Sequence, residues 1–76
     1  MHAYVLIQTE IARELDVATA LAAVPGVVSV ETITGPYDII VRVEADSLDA
    51  VGRIVVNSFQ NVDGIDRTLT CPVLGP

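Results

Sequence analysis

The sequence predicts an α+β fold of order βαββαβ, a four-stranded antiparallel sheet with two helices on one face. Three observations point there. Short runs rich in Val, Ile and Leu alternate with segments whose apolar residues recur at helical spacing. Gly and Pro punctuate the junctions. The chain also repeats itself: Val24-Pro25-Gly26-Val27-Val28-Ser29-Val30-Glu31-Thr32 is similar to Val62-Asp63-Gly64-Ile65-Asp66-Arg67-Thr68-Leu69-Thr70, at an offset of 38 residues, half of the 76.

In both halves a helical pattern precedes the Val-x-Gly-(Val/Ile) signal and a strand pattern follows it, which is the split βαβ or ferredoxin-like plan. The first strand is expected over 3–9, centred on Tyr4-Val5-Leu6-Ile7, since β-branched and aromatic residues suit a pleated surface. The first helix starts at Glu14 or Asp16 and runs to Val24, with Val17, Leu21 and Val24 on one side. Asp16 is the expected N-cap. Pro25-Gly26 stops the helix, because Pro disfavours α geometry before it and Gly accepts a left-handed turn.

A second strand follows over 27–34. Gly35-Pro36-Tyr37 joins it to a third over 38–44. Asp46 or Ser47 caps the second helix, which carries Leu48, Val51 and Val55 on one face and ends across Asn61 to Gly64. The last strand is expected over 65–73. Residues 1–76 read as a single domain, with no linker or low-complexity stretch.

Strand patterning makes a further demand. Val5 and Ile7 point one way while Tyr4 and Leu6 point the other; Ile39, Val41 and Val43 share a face opposite Ile40 and Arg42. Two helices cover one face of four strands, so the other needs protein against it. A second copy packed sheet on sheet about a two-fold axis is the simplest cover. Burial of several aliphatic side chains would outweigh the usual association cost.

Composition excludes several classes of function. Ten acids face four scattered arginines and no lysine, for a net charge of −6. Such a surface repels nucleic acid and is not drawn to anionic membranes. No apolar run is long enough to span a bilayer and the N-terminus lacks a signal-type stretch, so a cytoplasmic protein is expected. The lone Cys71 excludes a disulfide framework and Cys-x-x-Cys metal sites, and reads as a small strand residue. His2 is the only histidine and reads as a solvated or edge residue. Asp46 and Asp49 complement a helix dipole. No catalytic motif, metal site or cofactor site is recognised, so the chain is not expected to be an enzyme.

One short cluster has unusual chemistry: Thr34-Gly35-Pro36-Tyr37-Asp38. Gly lets backbone approach a ligand, Pro sets the turn, Tyr offers a ring and a hydroxyl, and Asp accepts from an ammonium group or from backbone N–H groups. The same residues also make an ordinary turn in which Asp38 satisfies its own loop. Thr68 and Thr70 share one face of the last strand, as threonines on half-exposed strands commonly do.

Taken in order, Val24-Pro25-Gly26-Val27, Thr34-Gly35-Pro36-Tyr37-Asp38, Ile39-Ile40-Val41-Arg42-Val43, Asp46-Ser47-Leu48 and Val62-Asp63-Gly64-Ile65 before Thr68-Leu69-Thr70 span nearly the whole chain. The set resembles the effector-binding domain of the Lrp/AsnC transcription regulators, often called the RAM domain. The resemblance implies sheet-to-sheet pairing into a dimeric α+β barrel, further assembly often into octameric rings, and effectors, typically amino acids, held at contacts between dimers. It assigns the pocket's loop to Gly35, Pro36, Tyr37 and Asp38 and its strand to Thr68 and Thr70, with Asp38 receiving an ammonium group. Arg42 would sit in a strand-face salt bridge or at a contact between dimers. Full-length regulators carry an N-terminal helix-turn-helix domain, whereas this chain begins at the first strand. A stand-alone form that senses an effector or co-assembles with a full-length relative is the role implied. Two other readings share the βαββαβ order: a small dimeric α+β barrel enzyme of the monooxygenase kind, and an ACT-like amino-acid-binding regulatory domain.

Overall fold

The computed structural model describes residues 1–75. The elements are β1 (His2–Thr9), α1 (Glu14–Ala22), β2 (Val27–Thr32), β3 (Ile39–Glu44), α2 (Leu48–Asn57), a short 3₁₀ turn η1 (Phe59–Asn61) and β4 (Ile65–Pro72). The strands form one antiparallel sheet in the order β2-β3-β1-β4. This is the ferredoxin-like arrangement that the two half-chains predict.

Side-chain alternation decides which face is the core. In register, Ala3, Val5 and Ile7 stand opposite Val43, Val41 and Ile39. All six are fully buried beneath Val17 and Leu21 of α1 and Val51 and Val55 of α2. The intervening residues Tyr4, Leu6 and Gln8 point to the opposite face, beside Arg42 and Ile40 of β3 and Cys71, Leu69 and Arg67 of β4. The molecule measures 35 × 23 × 17 Å, and the shortest dimension holds one sheet and one layer of helices.

The internal repeat has a structural meaning. Gly26 and Gly64 each enter an edge strand with φ near +97° and +99°, a conformation L side chains rarely adopt. Each carbonyl closes a matching junction: Glu44 N–H donates to Gly26 O and Glu10 N–H donates to Gly64 O, both at 2.8 Å. A side chain at Gly26 would strike Ile54 of α2, and one at Gly64 would meet Val17 of α1. The repeated glycines thus let each edge strand pass close under a helix.

Several boundaries differ from expectation. α1 begins at Glu14 after Arg13, and no side chain caps it; Asp16 lies within the first turn, 3.4 Å from the Arg13 guanidinium. The arginine holds Asp16 as an ion-pair partner, which displaces the capping role. α1 stops at Ala22, and Val24 follows in a turn, packed against the core. Ser47 caps α2, its hydroxyl accepting from the Ala50 N–H at 3.1 Å. Leu48 is exposed because it opens the helix on its outer side, whereas Val51 and Val55 are buried. β2 ends at Thr32 and β3 begins at Ile39, which lengthens the loop between them.

Phe59 lies outside both helical patterns, yet it is the largest fully buried side chain. The 3₁₀ turn after α2 swings it under the sheet. Phe59→Ala is expected to cost about 3–5 kcal/mol by leaving a cavity; urea unfolding would show it as a lowered midpoint.

Candidate functional site

The loop between β2 and β3 is anchored at its base and open at its tip. Ile33 N–H donates to Asp38 O (2.9 Å), and Asp38 N–H donates to Ile7 O (2.8 Å). Thr34, Gly35 and Pro36 are exposed, while Tyr37 and Asp38 are half-buried. Gly35 has φ +143°, and apart from its two chain neighbours no atom lies within 4 Å of where its Cβ would stand. Glycine is needed there for the backbone conformation, and the space beside it is open. Among the described residues, no acceptor takes the backbone N–H groups of Thr34, Gly35 or Tyr37.

The Asp38 carboxylate already has work inside the chain. Its Oδ2 accepts from the Thr9 N–H at 2.8 Å and from the Thr9 hydroxyl at 3.2 Å. The side chain therefore extends the β1–β3 ladder by one rung beyond the last paired residues, Ile7 and Ile39. Oδ1 accepts no hydrogen bond among the described residues. Asp38 thus satisfies its own loop and keeps one oxygen free.

The structure does not bring the two threonines to this loop within one chain. Thr68 stands opposite Ile7 and Thr70 opposite Val5, so both lie on the helix-side face of β4. Strand β1 separates them from β3. Two shallow depressions of about 370 and 380 Å³ lie elsewhere, on the outer side of α2, around Arg53 and Asn57. Neither includes the β2–β3 loop or the threonines.

Two residues with long-range polar partners, one at the site and one beside the start of α1, were not singled out from sequence. Thr9 is a polar residue at a core-facing position of β1, a parity that signals a buried hydrogen bond. Arg13 lies between Glu10, Asp16 and Asp63, at 3.9, 3.4 and 3.2 Å. The hydrogen bond and charge of Asp63, followed by the charge of Asp16, push the guanidinium further above its ordinary pKa. The guanidinium also packs over Gly64, tying the start of α1 to the entry of β4. On the opposite sheet face Arg42 reaches Glu44 at 3.9 Å, a strand-face ion pair.

Comparison with known proteins bears on this arrangement. A family model described as the Lrp/AsnC ligand binding domain matches residues 2–76. The chain belongs to this family. An uncharacterized HTH-type transcriptional regulator of Pyrococcus abyssi is 37% identical over 54 residues, 71% of this chain and 36% of the regulator. The chain thus spans little more than a third of the regulator's length. A homocitrate synthase of Sulfurisphaera tokodaii is 41% identical over 58 residues, 76% of this chain but 12% of that enzyme. The structure of E. coli AsnC superposes with a TM-score of 0.90 at 26% identity, over 99% of this chain and 51% of that one. A Neisseria meningitidis regulator, solved as a complex with L-Met, shares the fold at a TM-score of 0.86 and 20% identity, over 97% of this chain and 49% of that one.

The chain matches the Lrp/AsnC ligand-binding domain over residues 2–76 and a transcription regulator over 71% of its length. No described helix is long and apolar enough to cross a membrane. The Thr9–Asp38 pair gives a stability prediction. Asp38→Ala leaves a backbone N–H and a hydroxyl without their acceptor, and is expected to cost about 1–3 kcal/mol. Thermal unfolding of the variant would read this as a lowered midpoint, and an unchanged midpoint would mean that the pair carries no structural load.

Proposed function

We propose that this domain binds a small-molecule effector of the amino-acid class at contacts between dimers, and that it acts in transcription regulation by coupling effector binding to assembly. The observation that carries this reading is the β2–β3 loop, which holds within five residues a carboxylate oxygen and backbone donors that no described residue engages. An α-amino acid presents the complementary pair of charges. Its ammonium suits Asp38 Oδ1, and its carboxylate suits the N–H groups of Thr34, Gly35 and Tyr37. Tyr37 and Pro36 offer apolar surface to a side chain. Thr68 and Thr70 join such a pocket only if another copy presents them, since β1 separates them from the loop in their own chain. That geometry favours a site built between subunits.

The open sheet face supplies the reason for subunits to meet. Tyr4 and Leu69 are 38% and 45% exposed, and the half-buried Leu6 stands between Ile40 of β3 and Leu69 of β4. At the ladder positions of this face, Arg42 and Arg67 balance Glu31 and Glu44, although the chain as a whole carries −6. Two like-charged copies therefore approach with least repulsion sheet to sheet. Assembly beyond the dimer, and co-assembly with a full-length regulator of the same family, are consistent with a domain that occupies about a third of such regulators. The effector shifts these assemblies only through different affinity for each.

An enzymatic role finds less support. The family match and the regulator relatives favour regulation over catalysis. The match to homocitrate synthase covers 12% of that enzyme, which makes the shared segment a small part of it.

Light scattering with and without each common amino acid tests the proposal. A mass that is a multiple of 8.0 kDa and shifts with one amino acid is the expected result. A mass indifferent to all of them would refute effector-coupled assembly.

A further inference from the structure

We infer that Thr9 is a positioning residue for the effector site, holding the Asp38 carboxylate so that Oδ1 faces outward; this rests on Asp38 being the ammonium acceptor proposed above. Thr9 is 8% exposed and is the one buried polar side chain among the described residues. Both of its donors converge on a single oxygen, Oδ2, at 2.8 and 3.2 Å. Donors that share one oxygen fix the carboxylate plane and leave the other oxygen as the outward acceptor. β-Branched side chains are stiff at χ1, so the hydroxyl is itself held by the strand. Preorganised acceptors bind better because their ordering cost is met during folding.

The arrangement also divides the labour between the two donors. The backbone N–H alone would tether the carboxylate at one point and allow it to swing about that bond. The hydroxyl adds the second point. Thr9→Val keeps the shape, the β-branch and the N–H tether but removes the hydroxyl. Thr9→Ser keeps the hydroxyl and loses a methyl group. A purely structural Thr9 would alter stability in these variants without altering affinity, whereas a positioning Thr9 alters affinity in a way that serine restores.

Calorimetric titration of the intact chain with each of the twenty common L-amino acids provides the test. Titrations run well below each variant's unfolding midpoint, with Thr9→Ala as a second hydroxyl-free variant should the valine form not fold. The expected result is that the tightest-binding amino acid loses roughly tenfold in affinity with Thr9→Val, as for a hydrogen bond that serves a charged group. Thr9→Ser should bind within a few-fold of the original. If Asp38→Ala abolishes binding and Thr9→Val binds like the original, the positioning role is wrong while the site stands. If Asp38→Ala binds like the original, or no amino acid binds the unaltered chain, the site reading fails and the inference falls with it.

Discussion

One constraint governs this molecule: two helices cover only one face of a four-stranded sheet. The core face is filled without gaps in its pattern, from Ala3, Val5 and Ile7 across to Ile39, Val41 and Val43, and is closed by Val17, Leu21, Val51, Val55 and Phe59. The strands must alternate, so every buried residue places a neighbour on the far face. Those neighbours are Tyr4, Leu6, Ile40 and Leu69, set among charges that balance. A small domain that leaves such a face to water forgoes stability it can ill spare. Self-association as proposed above would answer the packing problem and make sites between subunits available.

The β2–β3 loop joins that scaffold to the proposed effector site through a single rung. Asp38 completes the β1–β3 ladder with its side chain, so the residue best suited to meet an ammonium group is also the one that ties down the end of β1. The register with β4 shifts between Gln8 and Thr9; beyond Thr9 the chain bonds Gly64 through Glu10 N–H and reaches Arg13 with its three acidic partners. The loop, the β1–α1 junction and the entry to β4 are therefore linked by contiguous hydrogen bonds and ion pairs. Similarity to both regulators and a homocitrate synthase shows the same sequence pattern within chains of quite different size.

Local chemistry made much of this legible. The Val-x-Gly repeat marks the two edge-strand entries because only glycine accepts the φ and the close helix there. Alternation grouped the residues of each face correctly on β1 and β3, and the packed helices decide which group is the core. What escaped depends on partners far along the chain. Thr9 and Asp38 are 29 residues apart, and Arg13 and Asp63 are 50 apart. No spacing rule announces such pairs. Asp16 resembles an N-cap until Arg13 claims it, and Phe59 fits no helical period because a 3₁₀ turn carries it inward.

The packing constraint predicts that the open sheet face is buried against a second copy. Isotope-filtered NMR on an equal mixture of labelled and unlabelled chains tests it most directly. Intermolecular contacts from the methyl groups of Leu6, Ile40 and Leu69, with none from Leu48 or Val56 on the helix side, would bear it out. Contacts confined to the helix side, or no intermolecular contacts, would contradict it.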